Sequence, residues 1–210
     1  MALFTLDKVA FKDIVSYPYM EMKEEGTSFI CGDSGSGKST LLKLCNGTIS
    51  PTSGDISYLG KNILTMDPVA YRREVLLVGQ AVFLFDASIE ENFQRYLDYR
   101  GEKAISQEEI KQYLEICALQ LPLDSSCNVL SGGERQRVFI AIHLALKPKV
   151  LMLDEPSSAL DDKNATILME NLRAHCKAHK MALLVVSHDK HLAKTYADHV
   201  ILLEGGGGNG

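Results

Sequence analysis

The chain has 210 residues, 22 Lys+Arg against 27 Asp+Glu, a formal net charge of −5 and 46% hydrophobic residues. That balance excludes a disordered or low-complexity chain and leaves one large domain, able to bury roughly 70% of its unfolded surface. It also lacks the basic footprint of a nucleic-acid binder, so no nucleic acid is expected as a partner.

The N-terminal MALFTLDKVAF carries Asp7 and Lys8 and no signal-peptide core, and no apolar run approaches the roughly 18 residues of a membrane-spanning helix. The expectation is a soluble protein. Residues 27–31 (TSFIC) form the first strand-like run, apolar without alternation, as in strands buried on both faces of a parallel sheet. A glycine-rich loop follows, then a helical pattern at 39–44. Residues 49–61 (ISPTSGDISYLGK) read as turn, strand and turn, a small antiparallel appendage. From about 86 to 123 the pattern is mostly helical, with Ser106 as a cap before the acidic first turn of Glu108 and Glu109. Helical patterns at 133–146, 163–177 and 190–196 then alternate with strands at 150–153 (VLML) and 182–187 (ALLVVS). Alternation of this kind argues an α/β layered fold. The tail at 205–210 (GGGGNG) reads as a frayed end.

Cys31, Cys45, Cys117, Cys127 and Cys176 are scattered without a C-x-x-C spacing and read as reduced cytosolic thiols. His175 and His179 share a helix face but lack a third ligand and have Lys177 and Lys180 beside them, so a solvated face is the expected reading.

The first strand runs into Gly32, Asp33, Ser34, Gly35, Ser36, Gly37, Lys38, Ser39 and Thr40, which match G-x-x-x-x-G-K-[ST] between a strand and a helix. Glycines allow successive backbone N–H groups to turn inward around a polyphosphate, and the helix start adds positive potential. Lys38 brings a point charge to the β and γ oxygens, and the Ser39 hydroxyl is a ligand for Mg²⁺. The strand at 150–153 ends in Asp154 and Glu155. Adjacent carboxylates leaving an apolar strand are costly without a cation. A Mg²⁺ shared with Ser39 would compensate Asp154, leaving Glu155 to orient or deprotonate a water; an ordinary acidic turn before Pro156 is the alternative. His188 ends the third strand, in reach of a γ-phosphate or simply on the surface. All three strands thus carry polar groups at the carboxyl edge, where open α/β sheets bind ligands.

Residues 130–137 (LSGGERQR) resemble the signature motif of ATP-binding cassette (ABC) ATPases, and Ser131 precedes Asp154 by 23 residues, a spacing similar to that family's. Ser131, Gly132 and Gly133 at a helix start, with Glu134 behind them, make a second anion-binding nest, redundant unless it serves a nucleotide on another copy. The resemblance covers residues 4–203 and implies a P-loop NTPase core, with ATP and Mg²⁺ as cofactors. It implies a homodimer of head-to-tail cassettes, each signature closing over its partner's ATP. It also makes Gln80 the glutamine that touches metal and water, so that Ser39, Gln80 and Asp154 form the metal set. Lys38, Gln80, Glu155 and His188 become the catalytic set. Residues 158–161 (SALD) resemble the loop that crosses the dimer interface, with Asp161 in that role. The adenine-stacking aromatic falls on Phe11 or Tyr17, Phe11 being favoured. The core is expected at about 1–85 and 131–205, interrupted by a helical subdomain at about 86–130. Only 51 residues separate Gln80 from Ser131, a trimmed version of that subdomain.

Such an ATPase usually serves an integral-membrane permease on another chain, which places it in the cytoplasm, peripheral on the inner face of the cell membrane. Residues 81–93 (AVFLFDASIEENF) are expected to help form the docking groove or to fill the subdomain core. LFDASIEEN resembles exporter-type cassettes, and YRREVLLVGQ with VVSHDK resembles small bacterial cassettes of metal (iron) export. The alternative is a soluble ABC ATPase of DNA repair, chromosome organisation or translation, but long coiled-coil insertions and zinc-hook cysteines are missing from the sequence.

Overall fold

The computed structural model describes residues 1–204, so the glycine-rich tail at 205–210 lies outside the described residues. The chain opens with β1 (Ala2–Phe11), β2 (Val15–Tyr17) and β3 (Met20–Lys23), then β4 (Thr27–Gly32) and α1 (Lys38–Cys45). Next come β5 (Ser53–Tyr58), β6 (Lys61–Asn62), α2 (Pro68–Glu74) and β7 (Val75–Val78). Two helices, α3 (Ile89–Arg100) and α4 (Gln107–Ile116), precede α5 (Gly132–Ala145) and β8 (Val150–Asp154). The chain closes with α6 (Asp162–Ala178), β9 (Ala182–Val186), α7 (Lys190–Tyr196) and β10 (His199–Leu203).

Two sheets result. In the antiparallel one β1 is central, pairing with β2, β3 and β5, while β6 extends β5. The antiparallel part is therefore larger than the appendage expected at 49–61. Its first strand alternates from Phe4 to Asp7, with Leu3 and Val9 buried as well. The alternation breaks at Lys8, whose φ is 49°, and the β1–β5 register shifts between Asp7 and Ala10. Gly54 faces this bulge so closely that a Cβ would stand 2.4 Å from the Lys8 carbonyl oxygen.

The second sheet is parallel, in the order β10-β4-β9-β8-β7. Its three inner strands divide their side chains between two cores. Phe29, Leu151, Leu153, Leu183 and Val185 face the helical layer of α3 to α7. Ile30, Val150, Met152, Leu184 and Val186 face α1 and the antiparallel sheet. Burial on both faces explains why these strands read as continuous apolar runs. The edge strands β7 and β10 are only partly buried and were not recognised from sequence.

Between β7 and α5, both helices begin with a complete capping box, Ser88 with Glu91 and Ser106 with Glu109. Asn92 is fully buried on α3 and organises the segment before it. Its Oδ1 accepts from the Phe85 N–H at 2.8 Å, and its Nδ2 donates to the carbonyls of Ser88 at 2.9 Å and Phe85 at 3.2 Å. The same region is laced to the approach to α5: Cys127 N–H donates to the Ala87 carbonyl and Ile89 N–H to that of Ser125, both at 3.0 Å. Replacing Asn92 by Ala removes the partner of the part-buried Phe85 N–H and carbonyl. Asn92→Ala is expected to destabilise the protein by about 2–3 kcal/mol, read as a lowered midpoint of urea unfolding.

Candidate functional site

Parallel pairing brings four strand ends to one edge. Ile30 and Asp154 both pair with Val186, and Val78 pairs with Leu153. The residues just beyond these pairs are Gly32, His188, Glu155 and Gln80, the last being exposed.

The glycine loop joins β4 to α1. Gly35 and Gly37 have φ of 83° and 89°, the left-handed region that favours glycine. Gly35 has open space where a Cβ would stand, but one on Gly37 would meet Val15 Cγ2 at 2.7 Å and the Tyr17 hydroxyl at 2.8 Å. That hydroxyl donates to the Gly37 carbonyl at 2.7 Å, and burial pushes its pKa up. Tyr17 is 2% exposed, so it braces the loop from beneath and has no face free for adenine. Phe11, at the end of β1, is half-buried with the Lys12 ammonium 5.2 Å from its ring centre.

Lys38 folds over the loop, its Nζ donating to the carbonyls of Gly32 at 2.8 Å and Asp33 at 2.7 Å. Helix α1 begins without a side-chain cap and without an acidic residue in its first turn. Its first N–H groups therefore remain available to an anion, as do the exposed Asp33, Ser34 and Gly35 backbones. Ser39 and Thr40 stand in that first turn. Ser36 is buried, with its hydroxyl lacking a hydrogen-bond partner.

Asp154 is 5% exposed, and its Oδ1 is buried without a partner. An uncompensated carboxylate oxygen is expensive in such a place. Asp154, the Ser39 hydroxyl and the Gln80 side chain offer an all-oxygen donor set, which suits a hard divalent cation such as Mg²⁺. The residues present fit that ion.

Glu155 adopts φ of 56°, a left-handed conformation costing about 1–2 kcal/mol in a residue other than glycine. Its N–H donates to the Val186 carbonyl at 3.0 Å. Its own carbonyl accepts from Gln136 Nε2 at 3.2 Å and Ser158 Oγ at 3.1 Å. The carboxylate Oε2 lies 2.8 Å from His188 Nδ1. Glu155 is sheltered while His188 is 72% exposed, so one half of the pair faces solvent.

Ser131 is the N-cap of α5 in a full capping box, its backbone N–H donating to Glu134 Oε2 at 2.9 Å. Hydrogen bonds from Ser131 hold the Glu134 carboxyl below the usual range. Among the described residues no hydrogen bond joins Ser131 to the glycine loop, and Ser131 and Gly132 are exposed. A Cβ on Gly133 would lie 3.3 Å from the Ala159 carbonyl oxygen, so the helix start rests on the segment after Glu155. Asp161 caps α6, accepting from the Asn164 N–H at 2.8 Å.

The remaining candidates have structural explanations. His175 and His179 stack with ring centres 4.1 Å apart, and no group of three or more His, Cys, Asp or Glu converges among the described residues. All five cysteines are free. Tyr17 as a loop brace was missed from sequence because a tyrosine in a short strand carries no local signal for a partner 20 residues away.

A family model described as ABC transporter matches residues 18–158. The chain is 36% identical to the phosphate import ATP-binding protein PstB of Saccharolobus solfataricus, over 97% of this chain and 82% of that one. It is 37% identical to the probable iron export ATP-binding protein FetA of Escherichia coli K12, over 83% of this chain and 77% of the relative. Among solved structures, a dimeric ATP-binding cassette in a post-hydrolysis state, bound to ADP and Pi, gives a TM-score of 0.83 at 27% identity. That likeness covers 97% of this chain and 96% of the other. A bacterial Atm1-family ABC exporter with ATP bound gives 0.85 at 27% identity over 97% of this chain, which spans 37% of the exporter chain.

The crowding at Gly37 yields a direct test. Gly37→Ala is expected to weaken nucleotide binding at least about tenfold, because the loop must shift away from Val15 and Tyr17. Titration with a fluorescent ATP analogue measures the loss, and an unchanged circular dichroism spectrum shows that the fold survives.

Proposed function

The chain belongs to the ABC transporter family of ATP-binding subunits and is an ATPase, and on that premise we propose that it powers transport through an integral-membrane subunit carried on another chain. The working unit is a homodimer with two ATP molecules held between facing copies. The observation that carries this reading is the exposed nest at Ser131, which makes no hydrogen bond to its own glycine loop. Ser131 and Gly132 lie exposed at a helix start, a place that suits a phosphate held by another copy.

In this reading the backbone of residues 32–37 and the start of α1 bind the phosphates, and Lys38 turns from the loop carbonyls to the β and γ oxygens. Phe11 stacks on adenine. Ser39, Asp154 and Gln80 would hold Mg²⁺, which would supply charge neutralisation to the phosphates. Glu155 orients a water for in-line attack and takes its proton, while His188 holds the transferring group and Ser131 and Gly133 of the other copy close the site. Loss of the γ-phosphate removes the ligand shared by both copies, and the dimer opens. Asp161, capping α6 beside this edge, contributes to the contact between copies.

No helix among the described residues is long and apolar enough to cross a membrane. We place the chain in the cytoplasm, peripheral on the inner face of the membrane, with the helical part at about 86–130 as the lever toward the permease. Support for docking comes from an aromatic surface just after Gln80: Phe83 is 60% exposed and Tyr99 76% exposed, with Phe85 stacked between Tyr99 and the Arg95 guanidinium. LFDASIEEN and the likeness to the exporter support export. The import proteins among the relatives represent the competing direction. Identifying an integral-membrane protein that co-purifies from membranes, and finding ATPase activity unchanged by added DNA, tests the transport reading against a soluble DNA-linked ATPase.

Glu155→Gln is expected to bind ATP, accumulate the closed dimer on size exclusion and lose at least about a hundredfold in turnover. Near wild-type phosphate release by that variant would refute the role given to Glu155. Phe11→Ala is expected to weaken ATP binding by about 1–3 kcal/mol, measured by calorimetry on the Glu155→Gln background.

A further inference from the structure

A residue other than glycine holds a left-handed backbone only where its surroundings over-determine it. At Glu155 five hydrogen bonds do so, with the Val186 carbonyl, the Gln136 amide, the Ser158 N–H, the Ser158 hydroxyl and the His188 ring. Val186 and His188 belong to the neighbouring strand and its extension, and Ser158 belongs to the loop that Glu155 itself begins. Gln136 alone comes from a helix, and that helix is α5, whose N-cap is Ser131.

The contact does not stand alone. Gly133 and Gln136 are three residues apart and so share one face of α5. Both rest on the segment that starts at Glu155: Gly133 against Ala159, Gln136 on the Glu155 carbonyl at 3.2 Å. The five helical steps from Ser131 to Gln136 span about 7.5 Å. A shift of the capped end therefore reaches the Glu155 backbone through a stiff element.

We propose that Gln136 is a positioning residue: by anchoring the Glu155 carbonyl to the signature helix, it makes the nucleotide engaged by Ser131 set the geometry of the base in the same chain. The inference rests on Glu155 as the base and on the facing dimer, in which the nucleotide at Ser131 lies on the other copy's loop. Each site then reports its occupancy to the other through one amide.

Gln136→Met keeps the length of the side chain and removes the donor. Measured as steady-state ATPase against ATP concentration, it is expected to lower kcat on the order of tenfold while ATP affinity is retained. Its Hill coefficient should fall from about two toward one. Gln136→Asn, with an amide one methylene too short, should behave alike and serves if the first variant folds poorly. A wild-type kcat and Hill coefficient in Gln136→Met would overturn the proposal, as would a wild-type Hill coefficient of one. Turnover surviving in Glu155→Gln would instead defeat the assignment of the base.

Discussion

Parallel pairing of β4, β9, β8 and β7 is the constraint on which the site depends. Four strands in one register present four chain ends at one edge, and each end delivers a different chemistry: N–H donors, an imidazole, two carboxylates and an amide. Apart from Thr27 and Ser28 at the start of β4 and Asp154 at the end of β8, the side chains of these strands are apolar. Their role is to hold these ends at fixed separations, and the double-sided burial of Leu, Val, Ile and Met side chains stiffens that frame.

At this edge the single chain leaves its polar groups incompletely matched. Asp154 has a carboxylate oxygen without a partner, α1 has no capping side chain, and Lys38 spends its charge on backbone carbonyls. Such groups are costly in the protein alone, and a ligand bearing phosphate and a divalent cation would relieve them together. The same logic extends to α5, whose capping box satisfies Ser131 and Glu134 locally while leaving the glycine turn open to solvent.

Much of the site was legible because its chemistry is local. The glycine loop, the LSGGE segment and the acidic end of β8 are short runs whose spacing states what they can bind. Strands β4, β8 and β9 were legible because burial on both faces leaves an uninterrupted apolar run. What was lost depends on partners far away in sequence. Strand β1 alternates correctly but is broken by the bulge at Lys8, so its ten residues do not announce a sheet centre. The edge strands β7 and β10 are largely apolar but only partly buried, and β7 is only four residues long. Tyr17 and Gln136 act through single hydrogen bonds to backbone 20 and 19 residues away, and such bonds have no periodicity to betray them.

The brace between Tyr17 and Gly37 crosses from one sheet to the other. Phosphate chemistry is mounted on the parallel sheet, while Val15, Tyr17 and Phe11 belong to the antiparallel one. The molecule is thus modular around its glycine loop: surface residues at the tip of β1 can drift without disturbing the strands that present the polar groups. The freedom ends at Tyr17, where the two modules share a hydrogen bond and must evolve as one.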